Sequence, residues 1–127
     1  MWKGGRGLLD LVLSALGELR SPFALYESDI HQMVEKQLQK ARLPYVHEAK
    51  IGPGSRIDYL VGDVGIEIKK GRPDAGRLKR QLARYAACED VAALVVIAPR
   101  SVALPQTVLN KPVRVIALNQ LWGVALP

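Results

Sequence analysis

In the stretch RIDYLVGDVGIEIKKG, residues 56–71, Asp58 stands in the middle of an apolar strand pattern, and Glu67 and Lys69 follow across a short turn. Strands made only for packing rarely carry carboxylates and an ammonium among Ile, Val and Leu, because a buried charge without a partner loses its hydration. If 56–61 and 65–70 form a hairpin, strand alternation puts Glu67 and Lys69 on one face and Ile66 and Ile68 on the other. Asp58 on the partner strand then lies near Glu67. Two carboxylates held close repel each other, which raises a pKa unless a cation sits between them. A hard divalent ion such as Mg²⁺ is held by one or two carboxylates and fills its shell with waters and phosphate oxygens. An ion there polarises a phosphodiester and generates hydroxide from water. Lys69 is placed to orient or deprotonate that water, or to stabilise charge developing on the phosphate.

The charge pattern points the same way. The chain's 18 Lys plus Arg outnumber its 12 Asp plus Glu, for a net charge of +6. From Lys69 to Arg84 the basic residues Lys69, Lys70, Arg72, Arg77, Lys79, Arg80 and Arg84 face one acid, Asp74, so this segment accounts for the whole excess. A concentrated basic run beside two carboxylates suits a polyanionic partner. Guanidinium forks on Arg77, Arg80 and Arg84 match phosphate oxygens, and Arg56, Lys70 and Arg72 extend the expected nucleic-acid contacts.

The elements that must position these residues follow from periodicity. An amphipathic helix opens the chain, with Leu9, Leu13 and Leu16 on one face, and Pro22 breaks it. A second helix runs from about Leu25 to Arg42 on the spacing of Ile30, Val34, Leu38 and Ala41. Strands are expected at 45–51, 56–61 and 65–70, separated by the turn GPGS and by Gly62-Asp63. Asp74 caps a helix over 75–88. The apolar run VAALVVIA (91–98) reads as a buried strand, and VRVIAL (113–118) as another, with a proline-punctuated connection between them that has room for one short helix. The expectation is one α/β domain over 1–127, a mixed β-sheet flanked by helices in the order α-α-β-β-β-α-β-β. Residues 1–24 form a helical extension, 25–98 the core, and 99–127 a C-terminal strand and tail.

The D-x(8)-E-x-K pattern of Asp58, Glu67 and Lys69 resembles the PD-(D/E)XK nuclease superfamily, which includes restriction enzymes, Holliday-junction resolvases and RecB-like nucleases. Its common core is a helix, three strands, a helix and a strand, the order expected over 25–98. The resemblance implies a restriction-endonuclease-like fold and a Mg²⁺-dependent deoxyribonuclease, with Mn²⁺ able to substitute. It implies Asp58 and Glu67 as metal ligands, with the Ile68 carbonyl beside them, and Lys69 assisting the water. Many members add a glutamate from the preceding helix. Glu27 is the choice here, with Glu35 and Glu48 as competitors. Gln81 and Tyr85 resemble the Q-x-x-x-Y of RecB-like nucleases. On a helical wheel they lie at the border of the inward stripe Leu78, Leu82 and Ala86, where they would touch DNA or the catalytic centre.

The implied function is phosphodiester hydrolysis in duplex or branched DNA, guided by DNA structure as in a junction resolvase. The alternatives are a non-catalytic nucleic-acid-binding module of the same fold, and a basic subunit docking on an acidic protein. His31 and His47 read as structural or surface residues, and GPGS as a turn without a P-loop pattern. Cys88, the single cysteine, excludes an internal disulfide and any cysteine-based metal cluster. The first helix is interrupted by Asp10 and too short to span a bilayer, so a cytoplasmic protein is expected. Apolar residues outside the core, on the Leu8–Leu19 helix and around Leu121, Trp122 and Val124, are candidates for a symmetric homodimer interface.

Overall fold

A computed structural model of the chain describes the backbone of residues 4–17, 19 and 27–121, and the side chains of these except 4–6, 27, 28, 120 and 121. Two helices come first, α1 (Gly4–Leu16) and α2 (Glu27–Lys40), then three strands, β1 (Val46–Lys50), β2 (Arg56–Val61) and β3 (Val64–Ile68). Helix α3 (Ala75–Ala86) leads to β4 (Ala93–Ala98), and β5 (Thr107–Val108), β6 (Lys111–Ala117) and α4 (Leu118–Leu121) follow. The six strands form one mixed sheet in the order β1-β2-β3-β4-β6-β5. β1, β2 and β3 are antiparallel, whereas β3, β4 and β6 run parallel. The chain is therefore α/β with a mixed sheet, as expected.

The sheet is covered on both faces. Leu8, Leu9, Val12 and Leu16 of α1 and Ile30, Val34 and Leu38 of α2 pack on Tyr59, Val61, Ile66, Ile68, Val95 and Ile97. Leu78, Leu82, Tyr85 and Ala86 of α3 pack on Ile57, Leu94, Val96 and Val113. β4 is buried at every position, which explains its continuous apolar sequence. The apolar side of α1 is thus covered within the chain. It is not the open face on which a dimer was anticipated, and Trp122 and Val124 lie outside the described residues. No helix among the described residues is long and apolar enough to cross a membrane.

Two elements depart from the sequence-based expectation. The connection over 99–110 holds no helix. It carries β5, paired with β6 through a turn in which Leu109 and Asn110 both have positive φ, 52° and 64°, the geometry of a tight hairpin. Asn accepts that conformation, but leucine gives no hint of it. The second departure is α4, one turn of helix that begins at Leu118, the last residue of the expected C-terminal strand. Elsewhere the turn residues act as read: Gly62, at φ 60°, makes the tight β2–β3 connection, and the Asp74 carboxylate accepts from the Arg77 amide at 3.1 Å to start α3.

Candidate functional site

The site forms where the β1–β2 ribbon turns over. The register pairs His47 with Tyr59 and Ala49 with Ile57, yet the two pairs look to opposite faces. Tyr59 packs with α1 and α2, His47 stacks on it, and Ala49 and Ile57 pack with α3. Between them Glu48 has a left-handed backbone, φ 53°, directly across from Asp58. The β2–β3 ladder also stops short of this point, at Tyr59 and Ile66. Side chains take over there. The Ile68 amide donates to Asp58 Oδ2 at 2.7 Å, and the Asp58 amide donates to Glu67 Oε1 at 3.4 Å. Each carboxylate is therefore held by the backbone of its partner strand. A left-handed glutamate costs roughly 1 kcal/mol relative to a residue without a Cβ. Glu48→Gly should accordingly raise stability in urea by up to about that amount. A loss instead would show that the Glu48 side chain, and not its backbone, supports the turn.

Glu67 is the one buried charged residue among those described, 6 % exposed. Burial and the neighbouring Asp58 carboxylate push its proton affinity above the usual range, and Lys69, whose Nζ lies 3.1 Å from Oε2, pulls it back. Glu67 and Lys69 therefore share one face, with Ile66 and Ile68 on the other, as alternation requires. Tyr85 differs from expectation. It is not at a rim but buried, 3 % exposed, and of the two roles expected for it the structure places it beside the carboxylates. Its hydroxyl has one proton and two acceptors, the Arg56 carbonyl at 3.1 Å and the Glu67 carboxylate. Gln81 donates to the same hydroxyl at 2.9 Å. Burial and the two carboxylates raise the Tyr85 pKa above the ordinary tyrosine value, so it stays a neutral donor. Tyr85→Phe removes a donor from a buried acceptor pair and should destabilise the fold by about 1–3 kcal/mol, measurable by urea denaturation. An unchanged midpoint would mean that Gln81 or water replaces it.

Lys69 opens onto a cleft of about 370 Å³ lined by Lys70, Arg77, Arg80, Gln81 and Arg84, along the outer side of α3. Arg72 is exposed in the preceding turn and does not line it. Arg56 precedes Asp58 by two residues on β2, its guanidinium 3.7 Å from Glu48.

The three glutamates considered as a further acid have different fates. Glu27 is the first residue of α2, and its side chain lies outside the described residues. Glu35 is on the opposite face of the sheet from Glu67, where Tyr59 donates to its Oε2 at 2.5 Å and Tyr45 to its Oε1 at 3.3 Å. Glu48 turns toward His47 and Arg56, at 3.9 and 3.7 Å. The histidines pack among aromatic rings. His47 stacks on Tyr59 at 4.7 Å, and His31 meets both rings near 5.5 Å. Sequence reasoning missed this Glu35–tyrosine–histidine cluster, for which the only signal was an excess of aromatic and polar residues at the β1 edge.

Among the described residues no group of three His, Cys, Asp or Glu converges as a metal cage. The donor set is two carboxylates, one of them buried beside the other with its proton affinity raised. Such a pair carries more negative charge than one ammonium offsets, and it fits an ion that takes few protein ligands and keeps its waters. Comparison with protein-family models, curated proteins and solved structures found no match to this chain.

Proposed function

We propose that the chain is a metal-dependent deoxyribonuclease of the PD-(D/E)XK type, with a restriction-endonuclease-like core running from α2 to β4. One observation carries this reading. Asp58 and Glu67 are held together by each other's strands, with the Lys69 ammonium 3.1 Å from Glu67 at the mouth of a basic cleft. The order helix, three strands, helix, strand over α2 to β4 agrees with the family's core.

Asp58 and Glu67 would hold Mg²⁺ or Mn²⁺, with the Ile68 carbonyl as neighbour. When bound, the ion would supply Lewis acidity to the phosphate and a water of lowered pKa. The chain's own groups do the rest. The Asp58 amide fixes the orientation of the Glu67 carboxylate, with the Tyr85 hydroxyl beside it, and the Ile68 amide fixes that of Asp58. Lys69, partly exposed, reaches from the buried pair to the cleft, where it meets the attacking water or the charge forming on the phosphate. Arg77, Arg80 and Arg84 bind flanking phosphates and carry no sequence information. The substrate would be recognised by its structure, and a branched junction is one such substrate.

A second reading has its own observation. Both carboxylates already accept backbone amides at the end of the β2–β3 ladder, a structural use that a nucleic-acid-binding module of this fold would keep. Incubation with linear, nicked, single-stranded and four-way DNA, and with RNA, in Mg²⁺, Mn²⁺ or chelator separates the two. Metal-dependent cleavage of DNA supports the nuclease. Salt-sensitive binding without cleavage of any substrate supports the module.

A further inference from the structure

We propose that the bound strand does not end at the carboxylates but runs through the site, into a second basic cleft beside the turn at 52–55 where Lys50 and Arg56 take its phosphates. The cut is then made at an internal phosphodiester. This rests on the nucleic-acid reading above and adds to it the path of the strand.

The surface of the α3 face carries the argument. Arg84 is among the residues that line the cleft beside Lys69. Arg84 also borders a neighbouring hollow between the end of α3 and the turn, lined by Ile51, Gly52, Ser55 and Cys88. Gly52 and Ser55 in turn border a third opening flanked by Lys50 and Arg56. Neighbouring openings thus share lining residues, Arg84 between the first and second and Gly52 and Ser55 between the second and third. Arg56 is tied to the catalytic centre through its backbone, because its carbonyl accepts the Tyr85 hydroxyl, and it lies two residues before Asp58. Basic side chains thus line the first and third openings, Lys70 and Arg77 the one and Arg56 and Lys50 the other.

Of the charged residues lining the middle hollow, Arg84 attracts a phosphate backbone while Glu89 and Asp90 repel it, so the strand is held there by Arg84 alone and by the basic openings on either side. The turn is held against α3 at close range. Gly52 has φ 128°, and a Cβ there would sit 2.9 Å from Cys88 Sγ, so the thiol marks the floor of the hollow. Around Gly54, at φ 74°, a Cβ would meet nothing within 4 Å, so this part of the turn is open to close approach. Arg56 exchanges its contact with Glu48 for a phosphate when the strand is bound.

Cys88, the only thiol in the chain, is a native reporter of this hollow. DNA at saturating concentration should slow its labelling by a maleimide, and the Lys50→Ala, Arg56→Ala double variant should lose that protection. On duplex DNA each lost phosphate contact lowers the salt slope by roughly 0.9, so the double variant should flatten it by about 2. A covalently closed circle, which offers no end, should be cut. Unchanged labelling and slope in that variant, alongside a flattened slope in Arg77→Ala, Arg84→Ala, overturn the through-path and leave the nuclease reading standing. Digestion that starts only from strand ends overturns it too. Absence of any salt-dependent DNA binding by the wild-type chain removes both readings together.

Discussion

Asp58→Ala and Glu67→Gln should each abolish metal-dependent cleavage while the protein stays folded. The expected fall is roughly a thousandfold or more, because the charge stabilisation supplied through a metal ligand is several kcal/mol and about 4 kcal/mol corresponds to three decades in rate. The stability of the metal-free protein makes the prediction sharper. Glu67 has a folded-state pKa above its ordinary 4.5, from burial first and the Asp58 carboxylate second. Above 4.5 and below that raised value the folded chain binds more protons than the unfolded one. Stability conferred by the protonated form is complete below about 4.5, declines as pH rises through this window, and is gone above it. Glu67→Gln should remove this decline, so its melting temperature becomes the flatter function of pH. Added Mg²⁺ should stabilise the wild type, since a ligand bound only by the folded state shifts the equilibrium by mass action, and should leave the two variants where they were. Thermal melts from pH 4 to 8 with metal or chelator, run beside a cleavage assay, check all of this. Cleavage by Asp58→Ala at the wild-type rate would sink the site.

The features legible in the sequence were those whose residue types have one physical meaning. Gly62 before Asp63 marks a tight turn, so the hairpin and the facing of Glu67 with Lys69 followed from period-two alternation. Asp74 after Pro73 marks a helix start, and the stripe Leu78, Leu82 and Ala86 gave the buried side of α3. What escaped was set by tertiary context. Glu48 adopts a left-handed backbone with no glycine or asparagine to announce it, so nothing in the alternation showed that Ile57 and Tyr59 would face opposite sides of the sheet. Tyr85 sits at a wheel position that reads as rim, and is drawn inward by acceptors that come from β2 and β3, elements distant in sequence. Glu35 was weighed as a site acid because α2 precedes the strands; the hydroxyls of Tyr45 and Tyr59 hold it on the other face. For Tyr85 and Glu35 the deciding partners lie on other elements, where one-dimensional periodicity carries no information.

Lys69→Met should separate catalysis from metal binding. The methionine keeps the unbranched stem of the side chain, one atom shorter, but has no charge and no proton to give or take. A positioned group of this kind contributes about 10²–10⁴ in rate, so turnover should fall by that factor at saturating metal and DNA. Metal affinity should move the other way. In the wild type the ammonium sits 3.1 Å from Glu67 Oε2, and a cation binding the same carboxylate meets it as a like charge and a competitor for the same oxygen. Removing the ammonium removes that repulsion, so Mg²⁺ or Mn²⁺ should stabilise Lys69→Met at a lower concentration than it stabilises the wild type. This sign is the opposite of that expected for Asp58→Ala, in which a ligand is gone. DNA affinity should change little, since Arg77, Arg80 and Arg84 remain. Thermal titration with Mn²⁺ and single-turnover cleavage measure the two effects on one protein. A variant that loses turnover and metal affinity together would place Lys69 among the groups that organise Glu67, through its ion pair. A variant that keeps turnover would take Lys69 out of the chemistry.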